Sequence, residues 1–548
     1  MTEQEELLML RELVNKQKFE IEKQQEELAA KDELLRKKDI QIENMMQALL
    51  HARKKMFGPS TEASHDTPGQ MHLFETTEEL AGQLSAEKKK ITVEAHTRIP
   101  RQPGVRAEML AGIPHDIDEY VINPEETCSV CGAPLKIIGK EIVRTEVEFV
   151  PARVRVVQVV RQVAKCTECG TGKNNHPKDH FQKAAVPAKV LPHSIATHSL
   201  VAQVMYQKFA LGVPLARQEN DFYRMGLVLP RNSMAHWVIR CSEEWLKPVY
   251  GRILEKLVSC GVLHMDETRI QCNKEEGKKA SSDSWMWVIQ TAASEDIRAT
   301  YFHYSRSRSG DVAKELLRGF HGYLVTDAYA GYEKVENVKR SLCWLHLRRY
   351  FMESIPLDSS GKELPGSKGE EGVEFINLLS YMEDNLKNLS PEERKAKRQT
   401  GAEALTDAFW SWVERTSVIP TTNEKLTKAL AYATNHKEYF QTFLEDGRLE
   451  ISNNLCESHI RPFATARRAW LFADTPKGAE ANAVLYTIVE TARANELNVY
   501  NYLDYLLTEL PELDYAYRNN PELLDKYLPW SEELPAGIRM NRKNKKSV

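Results

Sequence analysis

The chain is 548 residues long, enough for several domains, and its 42 % hydrophobic and 28 % charged content is that of an ordinary globular protein, with no apolar run long enough to span a bilayer. Nine cysteines in such a length do not make a disulfide scaffold, and the acidic start MTEQEELLML has no basic region ahead of an apolar core, so a secretory signal is not expected. A net charge of −4 excludes a bulk positive field, so an anionic partner would have to be held by local patches.

Residues 1–57 carry Leu7, Val14, Ile21, Leu28, Leu35, Ile42 and Leu49 at an unbroken spacing of seven. That is one complete heptad seam, and the matching series Leu10, Gln17, Gln24, Lys31, Lys38, Met45 and Ala52 is apolar only near its ends. The pattern predicts a coiled-coil helix roughly 80 Å long, ended by Gly58-Pro59. Self-association as a dimer or higher oligomer is the favoured expectation, with a helix packed back on its own body as the alternative. Residues 58–107 are polar and lack a period, which predicts a linker; its basic stretch TRIPRQPGVR fits a phosphate backbone or a plain charged linker equally.

The segment 108–180 holds Cys128-Ser-Val-Cys131 and Cys166-Thr-Glu-Cys169, with 34 residues between the pairs. Two CxxC knuckles suit one tetrahedral Zn²⁺. EVEFV and RVRVVQVVRQVAK between them alternate and are β-branched, so a hairpin is expected and with it a zinc ribbon. A structural staple is the default role. A contact to DNA through Arg153, Arg155 and Arg161 is the alternative.

Residues 181–257 read as helices. Apolar spacing over 193–211 is broken at Gly212-Val-Pro214, a second helix covers 215–224, and a turn at Met225-Gly226-Leu227 leads to a third from about Pro230 or Asn232. Helix, glycine turn and helix fit a helix-turn-helix presenting Arg231, Asn232, Ser233, His236 and Arg240 to a major groove. A helical hairpin that only joins domains is the other reading.

From about residue 258 the pattern changes to strands. GVLHMDETRI (261–270) opens as a nearly continuous apolar run and turns acidic at Asp266. Residues 284–293 and 298–304 give two further strands, 309–320 an amphipathic helix, and 322–327 a fourth strand ending in Asp327. Three strands, a helix and a further strand are the order of a ribonuclease-H-like sheet, in which the first and fourth strands are neighbours. Glu457 lies in a helix-like context, SNNLCESHIRP. Two strand-end aspartates and a helical glutamate match what two Mg²⁺ (or Mn²⁺) ions require for phosphoryl transfer. Taken singly each has a plainer role: an Asx turn for Asp266, a helix cap for Asp327, and half of a capping box with Asn454 for Glu457.

Residues 342–351, LCWLHLRRYF, are basic and aromatic; Arg348 and Arg349 are candidates for phosphate contacts, His346 for a place near the metals, and Cys343 for a small core residue. An insertion is expected at about 353–445, with a loop over 358–372 and a capped helix from Ser390. Beyond Glu457, the cations Arg461, Arg467 and Arg468 share its helix, which Pro462 should bend or end. Residues 478–498 are alanine-rich and amphipathic, a packing helix. The region 501–548 ends in a basic arm over 539–546.

MDET, TDAYAGY and NNLCESHIRPFATARRAWLF together resemble the insertion-sequence-66 family of bacterial DDE transposases, which have a ribonuclease-H-like core. The likeness extends to ALLHARKKMFGPSTE, to the PA-x-V-x-V flavour of the ribbon, to PLARQENDFYRMGLVLPRNSMAHWV, to the CW-x-H-x-RR-x-F pattern of 343–351, and to Leu528-Pro-Trp530. The resemblance implies a multidomain α+β protein: a coiled coil (1–57), a zinc ribbon (108–180), a helix-turn-helix-like region (181–257) and a ribonuclease-H-like α/β catalytic domain (258–500) with a helical insertion. It implies an Asp266, Asp327, Glu457 triad that cuts and joins double-stranded DNA at element ends and target. It also implies accessory proteins of the same element as partners, and a cytoplasmic, nucleoid-associated setting. A DNA-binding regulator with an inactive domain is the rival expectation.

Overall fold

The computed structural model describes residues 178–357 and 365–540, with scattered positions between 123 and 171. The predicted coiled coil, the linker, Cys128, Cys131 and residues 541–548, with most of the basic arm, lie outside the described residues.

Near the expected ribbon a short antiparallel pair joins β1 (Val163–Lys165) to β2 (Phe181–Lys183). This is not the predicted hairpin. Residues 154–160 carry no strand, and their valines stand in solvent, Val156 at 95 % exposure. β1 instead pairs with residues beyond the second knuckle; EVEFV falls outside the described residues.

Four helices follow: α1 (His198–Met205), α2 (Leu215–Arg224), α3 (Arg231–Cys241) and α4 (Lys247–Leu257). α1 starts five residues later than the apolar spacing suggested, because Thr197 caps it by accepting the Leu200 N–H, and a π-turn extends it to Ala210. The glycine turn is as expected: Gly226 adopts φ +85°, a value that favours a residue without a Cβ.

The central sheet has five strands: β3 (Val262–Gln271), β4 (Asp283–Thr291), β5 (Thr300–Ser305), β6 (Tyr323–Thr326) and β7 (Lys339–Leu342), with α5 (Gly310–Leu316) between β5 and β6. Their order is β5-β4-β3-β6-β7. β3, β4 and β5 run antiparallel; β6 and β7 lie parallel to β3. Alternate β3 side chains serve two cores. Val262 joins Val325 and Leu342 on one, while Leu263 and Met265 join Leu324 on the other.

Two corrections concern the sheet. β3 lies within one residue of the expected 261–270, but Asp266 is not at its end: the strand continues five residues further, still laddered to β4. Only its pairing with β6 stops, at His264 with Val325, and there its burial gives way to partial exposure. The polar MDETR stretch reads as a strand end because one neighbour is lost, although the backbone carries on. β7, with the sequence KRSL, was not foreseen: its apolar signal is a single leucine, and this edge strand is buried because residues 437–444 pack on it, with Arg340 over the Tyr439 ring.

After β7 come α6 (Trp344–Glu353) and the insertion, built from α7 (Lys368–Leu386), α8 (Pro391–Lys397), α9 (Glu403–Ser417), α10 (Glu424–Asn435) and α11 (Lys437–Gln441). The expected loop at 358–372 is helical from Lys368, capped by Ser367. Gly369 and Gly372 read as loop residues, yet each marks close packing: a Cβ would meet Ser354 and the Phe351 backbone at the first, and the Phe351 ring at the second. Ser390 caps its helix as expected, and the cap is a capping box with Glu393. Trp344 stands at the centre of this second core, among Phe409, Trp410, Phe440 and Phe443.

The chain returns through α12 (Asn454–Trp470), α13 (Pro476–Ala494) and α14 (Val499–Glu512). Pro462 does not end α12, since the helix runs through it. Phe463, fully buried against Phe302, Trp470 and Tyr486, anchors the second half, which offsets the roughly 3 kcal/mol that an interior proline costs. α13 packs on β5, where Thr487 and Thr491 accept the N–H groups of Phe302 and Thr300.

Candidate functional site

The parallel pairing of β3 with β6 sets Val262 against Tyr323, Leu263 against Leu324 and His264 against Val325. Continued by two residues, that register puts Asp266 level with Asp327. Asp266 lies where β3 outruns β6, half-buried just past the last residue of that shorter strand. Its Oδ1 accepts the Glu267 N–H at 2.8 Å. Asp327 Oδ1 accepts the Tyr329 N–H at 2.9 Å, an Asx turn that fixes the side chain just past its strand.

Glu457 arrives from the other side of the fold. It occupies the first turn of α12, where the helix dipole favours a carboxylate. The capping box proposed for it does not form. The cap residue is Asn453, and its side chain turns away from the helix. Asn453 is fully buried: its Nδ2 donates to the Met265 carbonyl at 3.1 Å and its Oδ1 lies 3.0 Å from His264 Nδ1. One amide thus staples the start of α12 to β3 beside Asp266. A second tie runs from the Trp344 N–H to the Ile451 carbonyl at 2.8 Å.

The carboxylates feel one another. Burial, and after it the charges of Glu267, Asp327 and Glu457, push Asp266 up to about 7, against the single lowering effect of the Glu267 N–H. Glu267 is also raised, by burial, although Arg308 and Tyr332 bind it. Its side chain is 2 % exposed; Arg308 Nε donates to Oε1 at 2.8 Å and the Tyr332 hydroxyl to Oε2. Arg308 in turn lies over the Tyr329 and Trp285 rings. Arg340 donates to the Asp327 carbonyl at 3.1 Å.

His346 Nε2 is 3.7 Å from Glu457 Oε1, and burial pushes the imidazole below its ordinary range. Its Nδ1 is buried and has no hydrogen-bond partner among the described residues. Cys343, His346 and Glu457 place one ligand atom each within 4.8 Å of one another. Cys343, however, is fully buried, accepts the Asn453 N–H, and is pushed up to about 11, so it behaves as a neutral core thiol. Asp266, Asp327 and Glu457 offer only oxygen donors, the kind that hard divalent cations take, and the charges of the other two act on Asp266.

The basic candidates fall into two groups. Arg231, Asn232 and His236 on α3, Arg349 on α6, and Arg461 and Arg468 on α12 are exposed. Arg240 is paired with Glu244 at 2.7 Å, Arg348 donates to Asn377 at 2.7 Å, and Arg467 is half-buried. Cys166 and Cys169 of the second knuckle are half-buried.

Glu267, Arg308, Tyr332, Asn453 and His264 carry no role in the sequence reading. The Asn453-Asn454 doublet ahead of a helix was a visible capping signal. Its use as a strand staple was not visible, since the partners lie 188 and 189 residues away.

Residues 193–481 match the family described as the transposase IS66 family, and residues 125–170 match the zinc-finger binding domain of transposase IS66, a span containing all four knuckle cysteines. The chain belongs to the transposase IS66 family. Relatives include two uncharacterized proteins of Sinorhizobium fredii (strain NBRC 101917 / NGR234). The first, y4hP, is 27 % identical over 418 residues, 73 % of each chain. The second, y4jD, is 26 % identical over 448 residues, 78 % of this chain and 82 % of the relative. Among solved structures, a chain of the Drosophila P element transposase strand transfer complex aligns with 63 % of this chain and 90 % of its own, at 14 % identity and a TM-score of 0.22, a likeness too slight to define the fold. No helix among the described residues is long and apolar enough to cross a membrane.

Proposed function

We propose that this transposase cuts and joins double-stranded DNA at element ends through a DDE triad of Asp266, Asp327 and Glu457 on a ribonuclease-H-like sheet. The supporting observation is the register that, continued, levels Asp266 with Asp327, together with the Asn453 staple that ties the start of Glu457's helix to β3 at Met265, next to Asp266. The strand order β5-β4-β3-β6-β7 supports the ribonuclease-H-like assignment.

Asp266 would be shared between two Mg²⁺ (or Mn²⁺) ions, with Asp327 and Glu457 holding one each. When bound, such a pair stabilises the attacking and departing oxygens of an in-line displacement. The chain's own groups fix the geometry. The Asx turn orients Asp327, the Asn453 amide sets the height of Glu457, and His346, kept neutral by burial, faces the Glu457 carboxylate without adding a competing charge. Arg308 and Tyr332 bind the Glu267 carboxylate, so that its charge is satisfied locally and it would not compete for the ions. The exposed cations Arg461 and Arg468 share a helix with Glu457 and suit a DNA backbone, as do Arg349 and, on α3, Arg231, Asn232 and His236. Cys128, Cys131, Cys166 and Cys169 would hold one structural Zn²⁺. Residues 1–57 would join two or more copies.

The test is a nicking and joining assay with Mg²⁺ on duplexes carrying the element's own ends. Asp266→Asn is expected to abolish both reactions and to leave DNA affinity within about twofold, because the lost group is a metal ligand and not a phosphate contact. Wild-type protein that binds the ends and never nicks them would instead mark a DNA-binding regulator.

A further inference from the structure

α12 carries the chain from Glu457 to an unusual tip. Leu471, the residue that follows the helix, has φ 63° and ψ −54°, and the Phe472 N–H donates to the Trp470 carbonyl at 2.8 Å. These two facts define a γ-turn of the positive-φ hand, which is rare and strained for a branched side chain. The strain is held from both sides. The Leu471 N–H donates to the Arg467 carbonyl at the end of the helix. Beyond the turn, Ala473 donates to the Gln271 carbonyl at 2.9 Å, and Asn273 and Lys274 donate back to Ala473 and Asp474 at 3.0 Å each, so the segment is laddered to the far end of β3. Trp470, at the root, packs against Phe463 and lies under the Lys208 ammonium. At the tip the burial rule is reversed: Leu471 is 65 % exposed and Phe472 42 % exposed.

We propose that Leu471 and Phe472 form a rigid apolar wedge that enters the base stack of bound duplex DNA. This rests on the reading of duplex DNA as the substrate. Two rulers place the wedge. From Asp266 to Cys272 is six residues of strand, or about 20 Å, and from Glu457 to Leu471 is fourteen residues of helix, or about 21 Å. At about 3.4 Å per base step, the wedge sits about six steps from the phosphate at the triad. Charge complementarity points to DNA as the occupant: Arg461 and Arg468 lie exposed on the helix that leads to the tip, Arg467 is half-buried beside it, and Arg269 is exposed on β3. A leucine and a phenylalanine beside arginines are the side chains that unstack a base step, and the distortion costs a few kcal/mol, which a preformed tip helps to offset.

The experiment uses the full chain and element-end duplexes carrying 2-aminopurine at successive positions about four to eight steps from the cleaved phosphate. Wild-type protein is expected to raise the emission at one step in that window. The double variant Leu471→Gly, Phe472→Ala is expected to lose that rise, and to nick intact duplex about tenfold or more slowly, while a mismatch placed at the same step restores nicking. Glycine accepts the turn, so the variant's Tm should be no lower than that of the parent. Emission that stays flat for the wild type, emission that persists in the variant, or a mismatch that fails to rescue would each overturn the wedge. So would a variant whose only defect is in self-association, since the tip would then cover a second copy. Asp266→Asn separates the two proposals: it should keep the emission change and lose nicking. Wild-type protein that shows the emission change and never nicks leaves the wedge standing and removes the DDE reading.

Discussion

Asp266 is ionised at a cost set by burial and by three neighbouring carboxylates, which hold it at about 7. A divalent cation at this position must therefore displace a proton whenever the pH is below that value. Mg²⁺ affinity measured by titration calorimetry should weaken about tenfold for each pH unit below 7 and level off above it, with close to one proton released at pH 6. An affinity that is flat from pH 6 to 8 would mean that Asp266 is not a ligand. Glu267, one residue along, shows why adjacency in sequence says little about role. Strand alternation sends it to the opposite face, where Arg308 and Tyr332 bind it.

Among the elements, the loop after β6 depends on close backbone approach. A Cβ on Gly310, at the start of α5, would fall on the Gly331 carbonyl, in the turn that follows Asp327 and Tyr329. Gly310→Ala should cost about 1–3 kcal/mol of stability by denaturant titration and lower nicking disproportionately, because the displaced turn carries the Asx bond of Asp327. The insertion has its own keystone in Arg398, which is fully buried. Its guanidinium pairs with both oxygens of Glu383 and donates to the carbonyls of Phe443, Asp446 and Leu449, the stretch that leads back toward α12. Arg398→Ala strands a carboxylate and three carbonyls, and should cost about 3–5 kcal/mol by denaturant titration. Lysine should not rescue it, since a single ammonium cannot match the planar fork.

For the whole molecule, acid is the expected weakness. Burial lowers the pKa values of His264, His303 and His346, His303 to about 4. A histidine depressed in the folded state takes up its proton first in the unfolded chain, below the ordinary value of 6.5. Folded stability from these groups is therefore complete above 6.5 and lost as the pH falls toward 4. Asp266, raised in the metal-free protein, works in the opposite direction over part of that window. The comparison that isolates the histidine effect is the parent against His303→Gln: the parent's relative stability in thermal melts should decline from pH 6.5 to 4, and a constant difference would show that His303 keeps its ordinary pKa.

Much of this organisation was legible beforehand. α2 and α3, the strand–strand–strand–helix–strand order, the helix cap at Ser390 and the buried helix α13 all follow from local periodicity and turn chemistry, which neighbours along the chain encode. Asp266, Asp327 and Glu457 could be singled out because apolar runs ending in carboxylates, and an acid within a basic helix, are locally anomalous. What only the tertiary structure decided depends on partners far apart in sequence. β3 runs past Asp266 because β4 continues beside it after β6 has ended. The helix at Lys368 tolerates two glycines because Phe351 and Ser354 fill the space where their side chains would stand. α12 survives Pro462 because a cluster of rings grips Phe463. Asn453 could be placed near a helix start from its neighbours alone; that it also ties that helix to β3, and so sets where Glu457 stands, is a property of two segments that meet only once the chain has folded.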